Sequence, residues 1–183
     1  MNYRVEPLIS QEKLAIAVDR LAAEAASLLE GETVVIGLFK GAFIFTADLV
    51  RALSRHGVEP RLDFLVLSSY GNATESSGKV TILMDCREDI RGRQVLLVDD
   101  ILDSGNTLAF TVDYLMQKGA AKVLTCVLLD KPQRRTVRFE ADLVGFTIPN
   151  TFVVGYGIDY AERHRELPFV GMVRFDGEKE ETP

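Results

Sequence analysis

No apolar run in this chain approaches membrane-spanning length, and residues 1–10, MNYRVEPLIS, lack the apolar stretch of a secretory signal. Cysteine is scarce. Cys86 and Cys126 stand far apart with no metal-ligand spacing, so they read as reduced, structural thiols rather than a disulfide framework or a zinc site. Histidine is scarcer in function than in number. His56 ends a predicted helix and His164 lies in the charged stretch ERHRE, so both read as cap or surface residues and no Ser-His-Asp arrangement forms. Positive charge is also in deficit, with 21 Lys and Arg against 27 Asp and Glu, a net charge of −6 and a pI near 5.0. That balance argues against non-specific nucleic-acid binding. An acidic chain that handles anions must attract them locally, through backbone dipoles, a few basic residues and a metal ion. These absences together place the chain in the cytoplasm.

The 183 residues, 47% of them hydrophobic, fit one domain with a sizeable core. Ser10 is a helix N-cap, followed by Leu14, Val18, Leu21, Ala25 and Leu28 at helical spacing until Gly31. A buried strand over Thr33–Leu38 precedes a second helix, Ala42–Arg55, ended by Gly57. Strands over Arg61–Ser69 and Val80–Met84 flank the polar loop YGNATESSGK, which is longer than a hairpin needs. The VLLVDD strand, a helix over Thr107–Lys118 and a strand over Lys122–Leu129 follow. Shorter strands are expected near Leu143–Thr147, Phe152–Val154 and Phe169–Arg174, and the last residues, DGEKEETP, lack periodicity. This alternation gives an α/β fold, a mainly parallel twisted sheet flanked by helices. We expect one domain over 1–183, with a core of about 30–140 and a small hood lobe from about 1–10 and 141–175.

The most informative stretch is VLLVDDILDSGNTL, Val95 to Leu108. Four apolar residues form a strand buried on both faces. They run into Asp99 and Asp100, then Asp103, then the small residues Ser104-Gly105-Asn106-Thr107 that open a helix. Capping alone would explain a Ser or Asp at a helix start. It would not explain the adjoining carboxylate pair, which is costly to bury without a cation or hydroxyls as partners. The N–H groups of such a loop take a phosphate, while the carboxylates face sugar hydroxyls and a hard metal ion.

This stretch resembles the phosphoribosyl-diphosphate signature of the type I phosphoribosyltransferases, and three further segments make the chain similar to the hypoxanthine–guanine branch. The resemblance implies that the acidic pair engages the ribose diol and hydrated Mg²⁺, although the position of Asp99 is more often Glu. It implies that Ser104, Gly105, Asn106 and Thr107 hold the sugar phosphate, and that Asp103 accepts the purine proton as general base. Leu38-Phe39-Lys40-Gly41 matches the pyrophosphate loop, with a cis peptide before Lys40, although many relatives carry Leu at Phe39. Ser69-Tyr70 and the loop beyond match a lid that closes over the diphosphate and keeps water from the cationic sugar. Lys131 matches the donor to the purine 6-oxygen, Phe152 the ring that stacks on the base, and Val153 the backbone that reads its edge. Asp159, counted with the purine-pocket set, matches a Mg²⁺ ligand on the pyrophosphate side, and Arg165 a pyrophosphate contact. Lys131 can only donate, so a 6-oxopurine is preferred over adenine.

The resemblance thus implies a Mg²⁺-dependent purine-salvage transferase acting on hypoxanthine or guanine and phosphoribosyl diphosphate. Small-molecule substrates are its partners, with no nucleic acid or membrane, in a homodimer or homotetramer. A regulatory RNA-binding protein on the same fold is the rival; the purine-pocket residues and the acidic pI favour the enzyme.

Overall fold

The computed structural model describes residues 3–69 and 80–175. Two sheets carry the fold. The larger is built from β2 (Thr33–Phe39), β3 (Arg61–Ser69), β4 (Val80–Met84), β5 (Gln94–Leu102), β6 (Lys122–Asp130) and β7 (Leu143–Thr147), in the order β4-β3-β2-β5-β6-β7. All neighbours are parallel except β3 and β4. The smaller is antiparallel, in the order β1 (Tyr3–Ile9), β9 (Val170–Phe175), β8 (Val153–Val154).

Central position explains the apolar runs. β2 and β5 lie side by side in the middle of the sheet, and Val34 to Ile36 and Val95 to Val98 are fully buried. Both faces of these strands are covered. On one side pack α1 (Gln11–Leu28) and α2 (Phe43–Arg55), which contribute Leu14, Val18, Leu21, Phe45, Leu49 and Leu53 to one core. On the other, α3 (Asn106–Gln117) supplies Leu108 and Leu115 to a second core with Val34, Ile36, Val95 and Leu97. Ser10 caps α1, its Oγ accepting from the Lys13 N–H at 3.4 Å. Among the described residues no helix is long and apolar enough to cross a membrane.

The mainly parallel sheet and its flanking helices agree with the sequence reading, with helix and strand ends within a residue or two. Three features differ. β1 is a strand that sequence analysis left without secondary structure. Leu143–Thr147, grouped by sequence with the hood, is instead the edge strand of the large sheet, where Val144 pairs with Val127. Finally, a one-turn 3₁₀ segment, Pro132–Arg134, follows β6. In the small sheet Tyr3 pairs with Phe175.

Candidate active site

Ligands of open parallel sheets lie beyond the carboxyl ends of the strands, and here the ends of β2 and β5 meet. β2 delivers Lys40 and Gly41 across a Phe39–Lys40 peptide that is cis. Beside it, β5 carries Asp99 and Asp100 out of its buried stretch. A cavity of about 230 Å³ is lined by Leu38, Phe39, Gly41, Asp99, Asp100 and Thr107, among others. A smaller one adjoins it, lined by Asp99, Asp103, Ser104, Gly105 and Thr107. Five of the sequence-predicted phosphoribosyl residues, Gly41, Asp103, Ser104, Gly105 and Thr107, therefore share walls with Asp99.

The contact between the two loops is close. A Cβ on Gly41 would overlap the Asp100 carboxylate, and one on Gly157 would overlap the Gly41 carbonyl oxygen. At Gly157 the obstacle is backbone, while at Gly41 a side chain would have to turn aside. The turn at Gly157 is thereby seated directly on the Lys40–Gly41 loop.

Asp99 is buried, and its Oδ1 accepts from the Asp100 N–H at 3.0 Å. Burial drives its carboxyl well above the usual carboxylate range, and the neighbouring Asp100 charge adds to the rise. Burial also raises Asp100, although a hydrogen bond from Asp99, the Ile101 N–H at 2.9 Å and the charge of Arg165 pull the other way. A pair so placed suits a hard divalent cation or a sugar diol, either of which would offset the cost of two buried charges.

After Asp103 the chain turns through Gly105, whose left-handed backbone (φ 89°) starts α3. The first turn of a helix leaves N–H groups without helical partners, the groups that an anion site uses. Ser104 Oγ accepts from the Asn106 N–H at 3.3 Å, and Asn106 Nδ2 donates to Thr136 Oγ1 at 3.1 Å. Arg135, from the segment after β6, donates to the carbonyl oxygens of Leu102 and Asp103 and pairs with Asp130. Arg134 Nε lies 3.1 Å from Asp103 Oδ1.

Lys131 follows β6 and is buried, with its N–H bonded to the Leu102 carbonyl at 3.0 Å. Burial pushes its ammonium below the usual lysine range, while the charges of Asp103 and Asp100 oppose that fall. Phe152 is half exposed, its ring edge-on to Tyr160 at 5.3 Å. Val153 is buried at the start of β8, where it pairs with Met172.

Asp159 and Arg165 form an ion pair at 2.8 Å, and Arg165 Nη1 donates to the Gly157 carbonyl at 2.8 Å. The other Asp159 oxygen accepts from the Glu162 N–H at 2.8 Å. With both its oxygens engaged, Asp159 is a poorer cation ligand than the Asp99–Asp100 pair. Among the described residues no three acidic, histidine or cysteine side chains converge on one metal position. Asp99 and Asp100 thus form one acidic position and Asp159 another.

Ser69 ends β3, its backbone paired with Val80; Tyr70 and the rest of the expected lid lie outside the described residues. A larger cavity of about 550 Å³ sits between α1, α2 and residues 166–168. Asp48 there pairs with Arg51 and accepts from the Tyr156 hydroxyl, and Arg55 pairs with Asp19, so the cavity lacks the paired carboxylates of the β2–β5 site.

Sequence reasoning missed Glu162, Arg134, Arg135 and Gly157. Their nearest signals were the charged run ERHRE and the paired arginines after Lys131, neither of which reveals a contact.

A sequence model of the phosphoribosyl transferase domain matches residues 5–161. The chain is 48% identical to the hypoxanthine-guanine phosphoribosyltransferase of Aquifex aeolicus, across 93% of this chain and 95% of that protein. It is 45% identical to the bifunctional protein TilS/HprT of Listeria innocua over 91% of its length, but spans only 26% of that longer protein. In three dimensions it is similar to a hypoxanthine-guanine phosphoribosyltransferase from Bacillus anthracis, with a TM-score of 0.85 at 46% identity, covering 91% of this chain and 97% of that one.

Proposed function

This chain belongs to the phosphoribosyltransferase family, and on that premise we propose that it joins hypoxanthine or guanine to 5-phosphoribosyl 1-diphosphate. The products are the nucleoside monophosphate and pyrophosphate, and the setting is purine salvage. One observation carries the reading: Gly41, Asp99, Asp100 and Thr107 line a single cavity where β2 and β5 end.

Each residue then has a task. The loop from Ser104 to Thr107 takes the 5-phosphate on its N–H groups. Asp99 and Asp100 face the ribose and stabilise positive charge as the anomeric carbon loses its diphosphate. Lys40, the Gly41 N–H and Arg165 hold that diphosphate. Asp103 accepts the ring-nitrogen proton as the new bond forms. Lys131 donates to the 6-oxygen, Phe152 stacks on the base, and the Val153 backbone reads its edge. When bound, a magnesium ion held by Asp99 and Asp100 would neutralise charge on the departing diphosphate; Asp159 is the second candidate position for such an ion.

A reducing, cytoplasmic setting fits the two buried, unlinked cysteines. Assembly into two or four copies is part of the same reading, supported by the exposed rings of Phe39 and Phe43 beside the site. Calorimetry with phosphoribosyl diphosphate and magnesium tests the reading. Uptake that disappears in a D99N/D100N double variant is expected; uptake unaffected by that change would overturn it.

A further inference from the structure

Glu162 stands where no substrate-binding role requires it. Its two carboxylate oxygens lie 2.9 and 3.0 Å from Lys40 Nζ, and one is 3.2 Å from Arg165 Nη2. These are the two cations assigned above to the diphosphate. The carboxylate is aimed by a tight turn: Tyr160 and Arg163 exchange N–H···O bonds of 3.1 Å each, and Ala161 and Glu162 both adopt left-handed backbone, φ 50° and 63°. The Glu162 N–H is tied to Asp159, which itself grips Arg165. Hydrogen bonding from Lys40, then from Arg165, holds the Glu162 carboxyl below the usual carboxylate range.

We propose that Glu162 is a displaceable occupant of the pyrophosphate subsite, holding Lys40 and Arg165 until the diphosphate takes them and reclaiming them as pyrophosphate leaves. The proposal rests on the transferase reading and deepens it. Lys40 and Glu162 are 58% and 67% exposed, so water screens the pair and the occupant yields readily. A tightly held anion would block the site, whereas a weakly held one competes mildly and favours product release.

Calorimetric titration with magnesium pyrophosphate separates the possibilities. The E162Q variant should bind it about 3- to 10-fold more tightly than the unaltered chain, the range expected when one or two screened ion pairs no longer have to be broken. E162A should match it, which removes the chance that the new amide merely adds a hydrogen bond. In a K40A background the gain from E162Q should fall to less than half, because one of the two cations being freed is gone. Equal affinity in the unaltered chain and E162Q would overturn the proposal. So would an undiminished gain in the K40A background, since that reports general charge repulsion. Absence of uptake by every variant and by the unaltered chain would overturn the transferase reading itself, and the occupant with it.

Discussion

The Asp100 carboxylate fills the space that a Cβ on Gly41 would need. The pyrophosphate loop and the acidic strand end are therefore built as one unit, and a methyl group between them must turn the carboxylate aside. Because Asp100 is the short, movable partner, G41A should fold. Its kcat/KM for phosphoribosyl diphosphate should fall by about 10- to 100-fold, comparable with the loss of one charge-assisted hydrogen bond. D100A should then add little in the G41A background; full additivity of the two losses would show that the contact is not what matters.

Asp103 faces the smaller cavity and touches Arg134 rather than the acidic pair. As the proton acceptor it contributes to the chemical step more than to binding. D103N should lower kcat by roughly 10²–10⁴ with modest change in KM. Steady-state kinetics that place the loss in KM alone would remove Asp103 from the proton transfer.

Lys131 is a buried ammonium whose proton affinity burial lowers. K131M keeps the aliphatic volume and removes the charge, so thermal stability should hold or rise. Its kcat/KM for hypoxanthine and guanine should drop about 10- to 100-fold, because the 6-oxygen loses a charged donor. A melting curve and a two-base assay on one preparation would separate the two effects.

Away from the site, Asp63 at the start of β3 collects three backbone N–H groups: Phe64 at 2.8 Å, Arg87 at 2.5 Å and Glu88 at 2.9 Å. Burial alone would raise its carboxyl, but those donors, Glu88 foremost, leave it below the usual range. A carboxyl lowered by folding contributes stability that is fully present above its unfolded value near pH 4 and lost as pH falls through the folded value. D63N should cost about 1–2 kcal/mol at neutral pH. The cost should shrink in denaturant titrations run below about pH 4; a deficit unchanged by acid would point to packing instead.

How much of this was legible beforehand follows from which contacts are local. Val95 to Leu108 carries its meaning in order alone, since a buried strand, two carboxylates and a small-residue helix start are neighbours in the chain. β1 was invisible because YRVEPLI pairs only with β9, more than 160 residues away, and Pro7 interrupts its pattern. β7 has the right length and composition, yet five residues do not say which sheet they join; its pairing with β6 is decided by the tertiary fold. Glu162 was hidden for a further reason. Its contact with Lys40 depends on two left-handed residues at 161 and 162, neither of them glycine, so no turn signal marks the position.

The most direct test is pyrophosphate release by the purified chain with magnesium, phosphoribosyl diphosphate and, in turn, hypoxanthine, guanine, xanthine, adenine and uracil. Release should be strong with hypoxanthine or guanine and negligible with adenine and uracil. Silence with every base, or adenine turning over as well as the 6-oxopurines, would contradict the assignment of this cavity.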